Sequence, residues 1–151
     1  MNGGTTLDRS GIAALIPHAG RMCLLATVEQ WDATTIRCTA TSHREIDNPL
    51  RTSSGLLASA AIEYAAQAAA VHGGLNARAA GQLPSPGFLA SARGVRLHCM
   101  HLDPLPGELT IEVEHVAGEG RQWLYGFSVL HNGEPLVDGR LAVVLDTPLP
   151  V

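Results

Sequence analysis

The segment from Gly55 to Gly73, GLLASAAIEYAAQAAAVHG, is apolar on every side of a helix. A helix with no polar face is buried all round, so the remainder of the chain has to wrap it. Inside this run stand one carboxylate, Glu63, and one amide, Gln67, a single turn further on. A carboxylate in such surroundings needs a partner or a task, because an isolated charge is costly away from water. The run is about as long as a membrane span, ~20 residues, but it is rich in Ala and carries Glu63, Gln67 and Ser59, which favours burial in protein over burial in lipid.

At 151 residues the chain suffices for one hydrophobic core, and residues 1–151 are read as one domain. A net charge of -4 with no block of Lys or Arg gives no footprint for nucleic acid or for an anionic membrane. Cys23, Cys38 and Cys99 leave one thiol over in any disulfide scheme and lack the close spacing of a metal knuckle, which fits a reducing compartment. The start MNGGTTLDRSG lacks a basic stretch followed by an apolar run, so the cytoplasm is the expected location. The residues imply no metal and no redox cofactor. His98, Cys99 and His101 invite a metal reading, but residues three apart in a strand face opposite sides.

Leu7 to Ile16 reads as a short helix stopped by Pro17. Cys23–Trp31 and Thr34–Thr41 alternate about Asp32-Ala33 as a hairpin. His43–Ser54 is a polar loop broken by Asn48-Pro49, in which Thr52, Ser53 or Ser54 caps the long helix. That helix is expected to end at His72-Gly73-Gly74, with a mobile connection to Pro86. Four strands are predicted beyond it: Phe88–Met100, Glu108–Val116, Gln122–Leu130 and Pro135–Leu145. The fold class is therefore α+β, an antiparallel sheet of six strands curled around one long helix. Such a sheet leaves an edge open, and pairing two of them covers it, so at least a dimer is expected.

Several motifs occur in an order that resembles a known family. Ile16-Pro17-His18 precedes Met22-Cys23-Leu24-Leu25, and Ile62-Glu63-Tyr64-Ala65-Ala66-Gln67 lies on the central helix. Phe88-Leu89-Ala90 and Pro106-Gly107-Glu108-Leu109 then open two strands. This order resembles the hot-dog-fold dehydratases that act on 3-hydroxyacyl chains, in particular the branch associated with aryl polyene biosynthesis. The resemblance implies a hot-dog fold, a 3-hydroxyacyl thioester substrate carried by acyl carrier protein or CoA, and a homodimer or a heterodimer with a second hot-dog subunit.

Dehydration of such a thioester needs a base for the α proton, an acid for the departing hydroxyl and donors for the enolate-like oxygen. The resemblance assigns Glu63 as the acid, its proton retained by burial, with Gln67 at i+4 orienting it. Amides at Ser54, Gly55 and Leu56 are expected to receive the thioester carbonyl, with Gly55 permitting close approach, and Phe88 and Asn48 are expected beside the substrate. The resembled enzymes place a catalytic His in a Gly-His-Phe-Pro-Gly loop fourteen residues before the acid, which here is Pro49, next to Asn48. His43 lies six residues too early, and His18, more simply a turn histidine, is a reserve. The missing His points to a site shared with another chain. The competing readings are a subunit without chemistry, a thioesterase on the same fold, and a Glu63–Gln67 pair that only fixes the helix. Tyr64 is read as packing and His72 as a partner of the helix C-terminal dipole.

Overall fold

The computed structural model describes residues 7–16, 20–82, 87–119 and 121–145. The first helix, α1, spans Arg9–Ala13, with the Asp8 carboxylate accepting from the Gly11 N–H at its start. The first two strands, β1 (Thr27–Trp31) and β2 (Thr35–Ala40), pair as the expected hairpin. The Asp32 carboxylate shapes their turn by accepting from the N–H groups of Thr34 and Thr35. The later strands are β3 (Gly87–Leu97), β4 (Leu109–Glu119), β5 (Gln122–His131) and β6 (Glu134–Leu145). All neighbours are antiparallel, in the order β1-β2-β4-β5-β6-β3, so β1 and β3 are the two edges. This is the hot-dog arrangement that the sequence led us to expect.

Strand alternation sorts the faces. Ile36 and Cys38, Ile111 and Val113, Phe127 and Val129, and Val137 and Leu141 are buried on the inner face. The long helix, α2 (Ala61–Ala79), lies against that face and is entered through a single 3₁₀ turn, Ala58–Ala60. Its alanines let the backbone approach the sheet closely while adding little side-chain entropy cost.

Three expectations about this helix are corrected. It begins after Ser54, not at it, and none of Thr52, Ser53 or Ser54 caps it. It also runs through Gly73 and Gly74 to Ala79, so the first part of the presumed connection is helical. Tertiary contacts override the glycine signal there. A Cβ at Gly74 would meet Leu15 side-chain atoms from 3.3 Å, so glycine lets the helix settle on the segment after α1. His72 and Asn76 add hydrogen bonds to the Asp32 and Ala33 carbonyls in the β1–β2 turn. His72 is thus a buried anchor in mid-helix, not a terminal charge.

The third correction concerns burial. The helix is not covered all round: Ile62, Glu63, Ala66, Ala70 and Gly73 are only partly buried, whereas Tyr64, Ala65, Gln67, Ala68 and Val71 are buried. The partly buried residues recur at three- and four-residue spacing and therefore form one stripe along the helix. Apart from Glu63 that stripe is apolar.

Candidate functional site

Glu63 lies in the first turn of α2, near one end of this uncovered stripe. Its carboxylate has no hydrogen-bond or ion-pair partner among the described residues, so neither Gln67 nor a histidine engages it within the described chain.

Gln67 is instead a clamp. Its Oε1 accepts from the Leu24 N–H at 2.9 Å and its Nε2 donates to the Met22 carbonyl, so its amide is directed to the Met22–Leu24 backbone. This segment lies just beyond His18 in the chain. His18 itself falls outside the described residues.

The loop that holds the histidine in the resembled enzymes is here a closed network. Tyr64 is fully buried, and its hydroxyl meets the Ser42 Oγ at 2.7 Å and receives the Asn48 Nδ2 at 3.0 Å. Asn48 Nδ2 also donates to the Ser42 carbonyl, and Asn48 Oδ1 accepts from the Leu50 N–H. Ser42 Oγ donates to the Leu24 carbonyl. Asn48, expected beside the substrate, therefore spends its amide on its own loop. Tyr64 does more than pack, since it ties that loop to α2. His43 is fully buried with Nε2 against the Leu105 carbonyl and Nδ1 unpartnered among the described residues.

Burial pushes the His43 imidazole below its ordinary pKa, and it does the same to His72. A depressed native pKa means that the unfolded chain binds more protons, so stability rises with pH. The contribution is complete above the ordinary histidine value of about 6.5 and is lost as pH falls through the lowered native values. The melting temperature is expected to drop as pH falls from 7 toward 5, and the double variant His43→Gln/His72→Gln is expected to flatten that slope in calorimetric scans. A slope as steep in the double variant as in the parent would assign it to other groups.

The amides expected to receive the thioester carbonyl are occupied. Ser54 N–H donates to Thr52 Oγ1, Gly55 N–H to the Thr52 carbonyl, and Leu56 N–H to Asp103 Oδ1 at 2.8 Å. Gly55 has φ +114 and a Cβ there would collide with the Asp103 carboxylate. Glycine is thus required at this position by the turn and by Asp103, which also meets Arg51. The bond from Leu56 N–H holds the Asp103 carboxyl below its usual range. Nothing local in the sequence marks Asp103 as a partner of this turn. Sequence reasoning also missed Ser59, because it set the helix start too early. The Ser59 N–H has no acceptor among the described residues, and Ser59 lies one turn before Glu63 on the same side of the helix. The backbone of Phe88 runs in β3 near the edge of the sheet; its side chain is outside the described residues.

Comparison with known proteins decides the family. The model of the ApeP-like dehydratases, described as ApeP dehydratase, matches residues 10–148. The chain belongs to the ApeP-like dehydratase family. Among solved structures, this ApeP-like chain is similar to the dehydratase heterocomplex ApeI:P from Xenorhabdus doucetiae, with 24% identity over 93% of this chain and 92% of that one and a TM-score of 0.80. A mutant form of the thioesterase PA1618 from Pseudomonas aeruginosa shares 13% identity over 96% of this chain and 98% of that one, with a TM-score of 0.65. AziG from S. sahachiroi shares 13% over 80% and 90%, with a TM-score of 0.60. At these identities the structures speak for the fold. No curated protein matches the chain. No helix among the described residues is long and apolar enough to cross a membrane.

Proposed function

We propose that this ApeP-like chain is one subunit of a 3-hydroxyacyl-thioester dehydratase whose active site is completed by a second hot-dog chain. The observation that carries the reading is the position of Glu63: an unpartnered carboxylate on the uncovered apolar stripe of α2. A lone subunit leaves that stripe exposed to water, and a partner sheet laid beside it removes water from both the stripe and the carboxylate. In the closed site Glu63 protonates the departing β-hydroxyl, and a histidine of the partner removes the α proton. The Ser59 N–H, one turn ahead of Glu63, donates to the thioester oxygen as negative charge develops there. The acyl chain lies along Ala66, Ala70 and Gly73, whose small side chains leave room for it. The carrier is acyl carrier protein or CoA.

Two further observations support a divided site. Asn48 and Tyr64 fill the part of the loop where the resembled enzymes keep their histidine, and the Asn48 amide is taken up by Ser42, Tyr64 and Leu50, so that position offers no base. The similar Xenorhabdus structure is itself a heterocomplex. Turnover of a 3-hydroxyacyl thioester, followed by the mass of the enoyl product, tests the proposal. The chain mixed with a histidine-bearing hot-dog protein from the same genome is expected to give product, and the chain alone to give none. Product from the chain alone would move the base into this subunit, to His18 or His43. A mixture whose rate ignores Glu63 would leave this chain a stabilising subunit.

A further inference from the structure

The outer face of the sheet, on the side away from α2, carries a groove of about 1040 Å³ whose lining includes charged residues of β2, β3, β4 and β6. The pairing register arranges them in rows across the strands. One row reads Arg37, Glu112, Ser128, Asp138, Arg96. It is neutralised within the chain, Arg37 meeting Glu112 at 3.3 Å and Arg96 meeting Asp138 at 2.9 Å. The next row reads Thr35, Glu114, Gly126, Arg140, Arg93. Here two arginines stand directly opposite each other on adjacent strands, an arrangement that repels. Neither they nor Glu114 has a charged partner among the described residues.

Unpaired charges of both signs in a fixed order are met by a partner that presents both signs in the reverse order. The face itself does so. A two-fold axis parallel to the strands and between β5 and β6 exchanges β5 with β6 and β4 with β3. It lays Glu114 of one copy over Arg93 of the other and Glu112 over Arg96, sets Ser128 over Asp138, and places the bare Gly126 beneath Arg140. Moving the axis onto β5 would instead set Glu112 against Asp138, acid on acid, and Arg37 against Arg96, so that neighbouring register is disfavoured. Along the third row the same axis brings Leu124, which is 37% exposed, toward Ala142, which is 7% exposed. A small anion would satisfy Arg93 and Arg140 but leave Glu114 and Leu124 as they are.

We propose that this outer face binds a second copy of the same chain, sheet against sheet, through Glu114 on Arg93 and Glu112 on Arg96. The contact is separate from the Glu63 side and doubles whatever assembly that side forms. It is polar and therefore sensitive to salt.

Sedimentation equilibrium of the purified assembly at low salt tests it, with circular dichroism verifying that each variant is folded. The parent is expected at twice the mass of Glu114→Arg, the variant's self-association weakening at least about tenfold because the two-fold axis turns two attractive Glu114–Arg93 pairs into two repulsive ones. The double variant Glu114→Arg/Arg93→Glu is expected to regain the parent mass. That rescue cannot arise within one chain, because three strand spacings of ~4.8 Å put Glu114 and Arg93 about 14 Å apart. Salt at ~1 M, where the Debye length is ~3 Å, is expected to halve the parent mass as well. Equal masses for the parent and Glu114→Arg, or a double variant that stays at half the parent mass, would overturn the proposal.

Discussion

Replacing Glu63 by Gln is expected to lower dehydration by the assembled enzyme by about 10²- to 10⁴-fold, the range that a positioned acid or base contributes. Gln keeps the size and hydrogen-bonding shape of the side chain but cannot give up a proton to the leaving hydroxyl. Because Glu63 has no bond to a described residue, the substitution leaves no buried group of the described chain unsatisfied. Stability should therefore stay within about 0.5 kcal/mol of the parent, as for other substitutions away from the core. The loss should appear in kcat, with KM changed little, since the proton transfer is made only in the transition state. Steady-state kinetics with the partner chain present, alongside urea denaturation, separates these effects. A kcat within about threefold of the parent, well short of the loss expected for a positioned acid, would remove Glu63 from the chemistry.

Gln67→Leu has the opposite signature. The side chain is about the same size, so packing is retained, but the Leu24 N–H and the Met22 carbonyl lose their partners. Leaving the buried Leu24 N–H unpaired costs about 1–3 kcal/mol, whereas the Met22 carbonyl sits in an exposed residue and turns to water, so a loss of about 1–3 kcal/mol is expected. In a chain of this size that is a fall in Tm of roughly 5 °C. Gln67→Glu keeps an acceptor for Leu24 but turns a carboxylate on the Met22 carbonyl, so it should not rescue the loss. A Gln67→Leu protein as stable as the parent would mean that water or a rearranged backbone satisfies both groups. The two neighbouring polar residues of α2 would thus divide their roles, Glu63 for chemistry and Gln67 for holding the segment after His18.

The differences between sequence and structure at the site share one cause. Thr52, Ser53 and Ser54 carry a sound local capping signal, but Asp103 captures the Leu56 amide from a distant loop and turns Thr52–Gly55 into a separate tight turn. The start of the helix moves with it, and the free amide becomes Ser59 instead of Ser54, Gly55 or Leu56. The place of Asn48 in the family's loop points it toward the substrate, whereas Tyr64 and Ser42 consume its amide. Gly73 and Gly74 end helices when nothing holds the next turn, and here Leu15, Asp32 and Ala33 hold it.

The elements and their order were legible in the chain alone: six strands from two-residue alternation, one central helix from an apolar run too long for a strand, and a single carboxylate placed on it. These follow from periodicity, which is local and survives whatever the chain does at a distance. Which stripe of that helix stays uncovered, that Gln67 turns toward Met22–Leu24, and that Arg93 stands against Arg140 were set by the closed fold. Each depends on the path by which distant segments close on one another. A side chain on a known face still has several partners within reach, and the hydrogen bond that forms is set by which backbone group the closed fold brings to it.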